Sequence, residues 1–175
     1  MTPTLPIVEL HEPYSDDRAA PLPWEEATAE LAAAGVCWLS TLRPDGRPHV
    51  TPVATVWIDG AVCFSTGPGE VKSRNLAHSR HVVIMTGCND FREGRDVVVE
   101  GDAVRVRDQS TLGRLCDAFQ SKYDDFFGFR VVGDGFEHDA GGRADVYRVE
   151  AAKAFAYTRG TSYAATRYRF RVTSS

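Results

Sequence analysis

Apolar positions along the chain follow two periods, and each change of period marks an element. Behind Pro23, a favourable first-turn residue, Trp24, Ala27 and Leu31 recur at helical spacing, and Gly35 stands where a left-handed residue would end a helix. From Val36 the spacing drops to two. VCWLSTL (36–42), PHVTPVATVWI (48–58) and AVCFST (61–66), separated by PDGR and by Asp59-Gly60, predict a three-strand antiparallel meander. EVKSRNLAHS (70–79) reads as a helix, and HVVIMTG (81–87), almost wholly apolar, as a buried strand. RDVVVEGDAVRVRD (95–108) is a long strand with a bulge or bend expected at Gly101. Asp108 suits the cap of a helix with Leu112, Leu115, Cys116 and Phe119 on its apolar side. The segments FGFRVVGDGFEH, ADVYRVEAAKAFAYTRG and YAATRYRFRV then alternate again around Asp134-Gly135 and Gly160. Many antiparallel strands with few helices predict a mainly β, α+β fold built as a closed or split β-barrel.

Residues 1–22 carry prolines and mixed charge without periodicity, which predicts an extended arm lying over the surface or over a partner subunit, with the first regular element after Pro23. The rest, 23–172, has the length of a single domain. With 43% hydrophobic and 25% charged residues, the chain has no apolar run near the roughly 18 residues of a membrane helix. Its acidic, proline-bearing start lacks the basic and apolar regions of a signal peptide, so a cytoplasmic location is expected. A net charge of -4 with lysine and arginine dispersed along the chain gives no footprint for nucleic acid. Cys37, Cys63, Cys88 and Cys116 form no C-x-x-C pair, and His11, His78, His81 and His138 show no ligand spacing, so no metal site is expected.

The stretch STGPGEVKSRNL (65–76) holds the most chemistry. A strand ends in Ser65-Thr66, Gly67 and Gly69 let backbone approach a ligand, and a helix begins that carries Lys72 and Arg74. Hydroxyls, free N–H groups at a helix start and one fixed cation suit a phosphate monoester, but the glycine spacing is neither a Walker loop nor a Rossmann fingerprint. The alternative is a connector whose charges are simply solvated. Pro52 removes one ladder N–H and belongs at an edge or beside an opening in the sheet.

The runs LSTLRPDGRPHVTPV, DGAVCFSTGPGEVKSRNL, HVVIMTG and DVVVEGDAVRV resemble the pyridoxamine 5'-phosphate oxidase-like superfamily, the split β-barrel flavin and deazaflavin oxidoreductases. The segment AFAYTRGTSYAATRYRF resembles the closing segment of an actinobacterial branch. The resemblance implies an FMN-binding-type split barrel, a homodimer with the cofactor cleft at its interface, and FMN or coenzyme F420 as cofactor. It implies hydride transfer from the reduced cofactor to a small conjugated acceptor, or else non-catalytic binding of a flavin, deazaflavin or haem-like ligand. Carried over by position, Thr51, Pro52 and Val53 line the ring, Ser65, Thr66 and Lys72 bind the phosphate, and Asn75 supports Lys72 from one helical turn away. His49, Arg167 and Tyr168 are the implied contacts to substrate or to a second subunit.

Two departures from the family pattern qualify this. Where the oxidases have a Ser-Arg-Lys run the chain reads Glu70-Val71-Lys72, so activity on pyridoxamine 5'-phosphate is not expected. Many deazaflavin-binding relatives place an arginine where Glu70 stands, and a carboxylate there repels a phosphate unless it turns outward.

Overall fold

The computed structural model describes residues 5–170. The domain boundary expected at 172 lies outside the described residues. Among the described residues, eleven strands are joined by antiparallel pairing, with three α-helices. The main path runs β1 (Ile7–Leu10), β11 (Ala164–Arg169), β10 (Arg143–Arg159), β7 (Gly94–Val106), β6 (His81–Thr86), β2 (Cys37–Leu42), β3 (Pro48–Val53). It does not close on itself: β5 (Ala61–Thr66) branches from β10 and carries β4 (Thr55–Ile58), and β10 also pairs with β9 (Gly135–Glu137), whose other neighbour is β8 (Arg130–Val132). The architecture is the expected antiparallel α+β fold.

Four details differ from the sequence expectation. Residues 48–58 form two strands rather than one, because β3 pairs with β2 while β4 pairs with β5, and the chain changes partner at Ala54. The first regular element precedes Pro23: β1 adds to the edge of β11, followed by a 3-10 turn at Glu12–Tyr14. The first helix, α1 (Trp24–Ala33), ends in an extended Ala34 whose N–H bonds to Glu30, so Gly35 is not needed as a left-handed stop. Finally, β6 is buried on alternate positions only, and Met85 on its outer face is 39% exposed.

Two apolar cores follow from the branched sheet. In the first, Trp24 and Leu31 of α1 pack on Leu39, Phe64, Ile84, Val97, Val99 and Tyr168. The second lies under α3 (Gln109–Lys122), where Leu112, Leu115 and Phe119 meet Val56, Cys63, Phe136 and Val146. The side chain of Asp108 accepts from the Thr111 N–H at 2.8 Å, the N-cap read from the sequence. The expected irregularity near Gly101 is a register shift in which β10 gains one residue between Ala151 and Lys153, opposite Gly101 and Glu100. A Cβ on Gly101 would stand 2.3 Å from the Glu150 carbonyl oxygen, so only glycine allows the two backbones this close.

Candidate functional site

The end of β5 and the start of α2 (Val71–His78) open a small cleft against β3 and the segment before β8. Its volume is about 210 Å³. Pro52, Val53 and Ala54 form one wall, Ser65, Thr66, Gly67, Glu70 and Lys72 the floor, and Phe127, Phe129, His138 and Ala144 the far side. The structure therefore brings together Pro52, Val53, Ser65, Thr66 and Lys72, five of the positions that the family resemblance implied for one site, while Thr51, implied with them, does not line the cleft. His138 was not among the expected site residues, whereas Phe127 and Phe129 belong to DDFFGFR (124–130), a loop whose aromatics, Phe127 among them, the sequence offers as walls of an apolar substrate slot or as dimer contacts. All three reach the cleft because the turns after α3 and the β8–β9 hairpin fold back over it, a tertiary event that local periodicity does not encode.

The cleft floor is dominated by one carboxylate. Glu70, at the N-cap of α2, accepts a 2.8 Å hydrogen bond from the Gly67 N–H through Oε1 and pairs with Lys72 Nζ through Oε2. Partial burial pushes the Glu70 carboxyl up, but Lys72, the Gly67 amide and Thr66 outweigh it and hold its pKa below the ordinary carboxylate value. The Lys72 side chain is only 11% exposed. Arg74 turns back to the Gly69 carbonyl at 2.7 Å.

Around the cleft, β3 carries two polar atoms that the fold leaves without a protein partner, His49 Nδ1 and Thr51 Oγ1. Both residues lie on the inner side of the strand with Val53, whereas Pro48, Val50 and Pro52 face outward. The pKa of His49 is lowered by desolvation and by the nearby charges of Arg43 and Lys72, which keeps its imidazole neutral at neutral pH. Buried polar atoms without partners are uncommon, and among the described residues two of the three in side chains lie on this strand beside the opening, the third being Arg105 Nε on β7.

Two expected site residues have other work. Asn75 is buried and donates from Nδ2 to Thr41 Oγ1 at 2.9 Å, tying α2 to β2 rather than supporting Lys72. Tyr168 is fully buried, packs against Trp24 at 4.8 Å between ring centroids and donates to the Leu22 carbonyl at 2.8 Å. It contacts neither a cleft nor solvent; alternation along β11 turns it inward. Arg167, next to it, faces outward and lines a separate groove of about 630 Å³ with Tyr14, Phe155, Tyr157 and Tyr163. Its guanidinium lies 5.9 Å from the Phe155 ring centroid.

The strand register connects this groove with the cleft. Pro52, Trp38, Met85, Val98, Phe155, Arg167 and Glu9 are successive cross-strand partners and form one row across seven strands on one face of the sheet. Trp38, second in the row beside Pro52, is 49% exposed.

A family model described as pyridoxamine 5'-phosphate oxidase matches residues 23–157. No curated protein matches the sequence. Among solved structures the chain is similar to a conserved hypothetical protein from Mycobacterium tuberculosis (21% identity, TM-score 0.62, 82% of this chain and 85% of that one). It is also similar to a heme binding protein from Mycobacterium smegmatis (18% identity, TM-score 0.66, 84% of this chain and 58% of that one). A third similar structure is an FAD-binding protein from Mesorhizobium loti (17% identity, TM-score 0.58, 93% of this chain and 98% of that one). At these identities the likeness concerns the fold.

Proposed function

The chain belongs to the pyridoxamine 5'-phosphate oxidase family, and from that premise we propose that it is an oxidoreductase binding a ring of the flavin or deazaflavin type in the cleft between β3, β5 and α2. The observation carrying this reading is the convergence of Pro52, Val53, Ser65, Thr66 and Lys72 on one cleft, beside a strand with two unpartnered polar atoms. A flavin-type ring supplies the hydride when bound, and the protein supplies orientation and exclusion of water. Pro52, Val53, Ala54, Phe127 and Phe129 offer apolar walls to a planar ring, and the unpartnered Thr51 and His49, which do not line the cleft, lie on the adjoining strand β3. The phosphate end fits less well. The donors that would hold a phosphate, the Gly67 N–H and Lys72, are taken by Glu70, and an entering phosphate has to displace that carboxylate.

A homodimer completes the proposed site. The row from Pro52 to Phe155 exposes apolar side chains on a sheet face whose opposite side holds the α1 core, and a second copy is the occupant that the family premise supplies. A two-fold axis parallel to the strands through the middle of the row would bring the Pro52 end of one protomer over the Arg167 end of the other, so Arg167 would reach the partner's cleft.

A second reading, a non-catalytic binder of a flavin, deazaflavin or haem-like ligand, draws support from the tethering of the titratable groups in the cleft. Glu70 is held by Lys72 and Gly67, and His138 is held through Nδ1 by the Phe127 carbonyl at 3.0 Å. Stopped-flow mixing of the reduced, cofactor-loaded protein with conjugated acceptors separates the two. Acceptor-dependent reoxidation faster than that of free cofactor is expected of the oxidoreductase, and a rate equal to that of free cofactor would leave only the binder.

A further inference from the structure

We propose that Glu70 is a built-in anion occupying the phosphate position of the cleft, so that the cleft selects a ring ligand with an uncharged tail, of the riboflavin class, over its phosphorylated counterpart. The proposal rests on the ring-binding reading above and specifies the ligand's tail chemistry.

The positions of the donors carry it. A phosphate at a strand end and helix start is held by backbone N–H groups together with a fixed cation. Here the loop amide of Gly67 and the ammonium of Lys72 both point at the same carboxylate, one at each oxygen. Gly67 makes room for it, since a Cβ there would stand 3.3 Å from Glu70 Oε1. Lys72 and Glu70 also cancel in charge. A phosphate monoester carrying about -1.5 to -2 at neutral pH would meet a floor of zero net charge whose donors are already engaged.

Neighbouring cations do not restore the attraction. Arg74 of α2 is committed to the Gly69 carbonyl, and the depressed pKa of His49 keeps that imidazole uncharged. The remaining walls are mostly apolar, with Pro52, Val53, Ala54, Phe127, Phe129 and Ala144. Such a cleft recognises a neutral planar ring by contact and a hydroxylated tail by Ser65 and Thr66, without a requirement for negative charge.

The test compares riboflavin with FMN by flavin fluorescence on the wild-type protein, Glu70→Gln and Glu70→Gln combined with Lys72→Ala. The wild type is expected to bind riboflavin at least as tightly as FMN. Glu70→Gln should raise FMN affinity by about tenfold or more while leaving riboflavin unchanged, and the added Lys72→Ala should remove that gain. A wild type that prefers FMN, or an FMN-to-riboflavin ratio unmoved by Glu70→Gln, would overturn the proposal. Inorganic phosphate titrated against the Gly67 amide resonance tests Glu70 without any flavin. A saturable shift in Glu70→Gln that is absent from the wild type supports the proposal even where neither flavin binds and the ring reading itself is lost; equal shifts in both proteins overturn it.

Discussion

Tyr168 and Asn75 are polar side chains that the family resemblance implied for a ligand site and that the fold uses to hold itself together. Each is buried with its polar atom paired, Tyr168 to the Leu22 carbonyl and Asn75 to Thr41. Tyr168→Phe removes a buried hydroxyl whose loss strands the Leu22 carbonyl, so denaturant unfolding should show about 1 to 2 kcal/mol of destabilisation with no change in ligand affinity. The same distinction was hard to draw from sequence. RYRF alternates, but alternation alone does not say which phase faces the core, and the phase is set by the pairing of β11 with β10 and with β1. Glu70, by contrast, was legible. Its charge beside Lys72 signalled a conflict with a phosphate, and the structure places the carboxylate toward Lys72 and Gly67 rather than outward.

Among the elements, helices and most strands could be read from periodicity because their apolar faces are local, whereas the break at Ala54 could not. PHVTPVATVWI keeps a strand-like composition throughout, and only the exchange of partners from β2 to β5 separates β3 from β4. That exchange exposes Pro52, Val53 and Ala54 together as one wall of the cleft. The far wall depends on the β8–β9 hairpin, whose turn residue Asp134 is paired with Arg105, Arg107 and Arg143. Desolvation pushes its carboxyl up, but the arginines outweigh this and hold its pKa below the ordinary value. A group with a depressed folded pKa contributes stability above its unfolded pKa and loses it as pH falls through the folded one. Amide hydrogen exchange at Val131 and Phe136 should therefore accelerate as pH drops below about 4, after correction for intrinsic rates, and Asp134→Asn should show fast exchange already at neutral pH.

At the scale of the molecule, the open branched sheet leaves an apolar row across one face, and the proposed dimer covers it. Trp38→Glu places a charge within the apolar part of that row without touching either core, so sedimentation velocity should find a folded monomer where the wild type sediments as a dimer. The fold class was legible in the alternation, and the sheet's branching through β10 was not, because a strand of 17 residues with four strand partners is defined by long-range pairing. The cleft itself, built at the branch from residues more than 80 positions apart, carries the central claim that this chain binds a flavin-type ring. Fluorescence titration of the wild-type protein with riboflavin tests that claim most directly. Saturable quenching in the micromolar range, lost when Ala54→Trp fills the cleft, is the predicted result, and quenching that never saturates or that survives Ala54→Trp unchanged would contradict it.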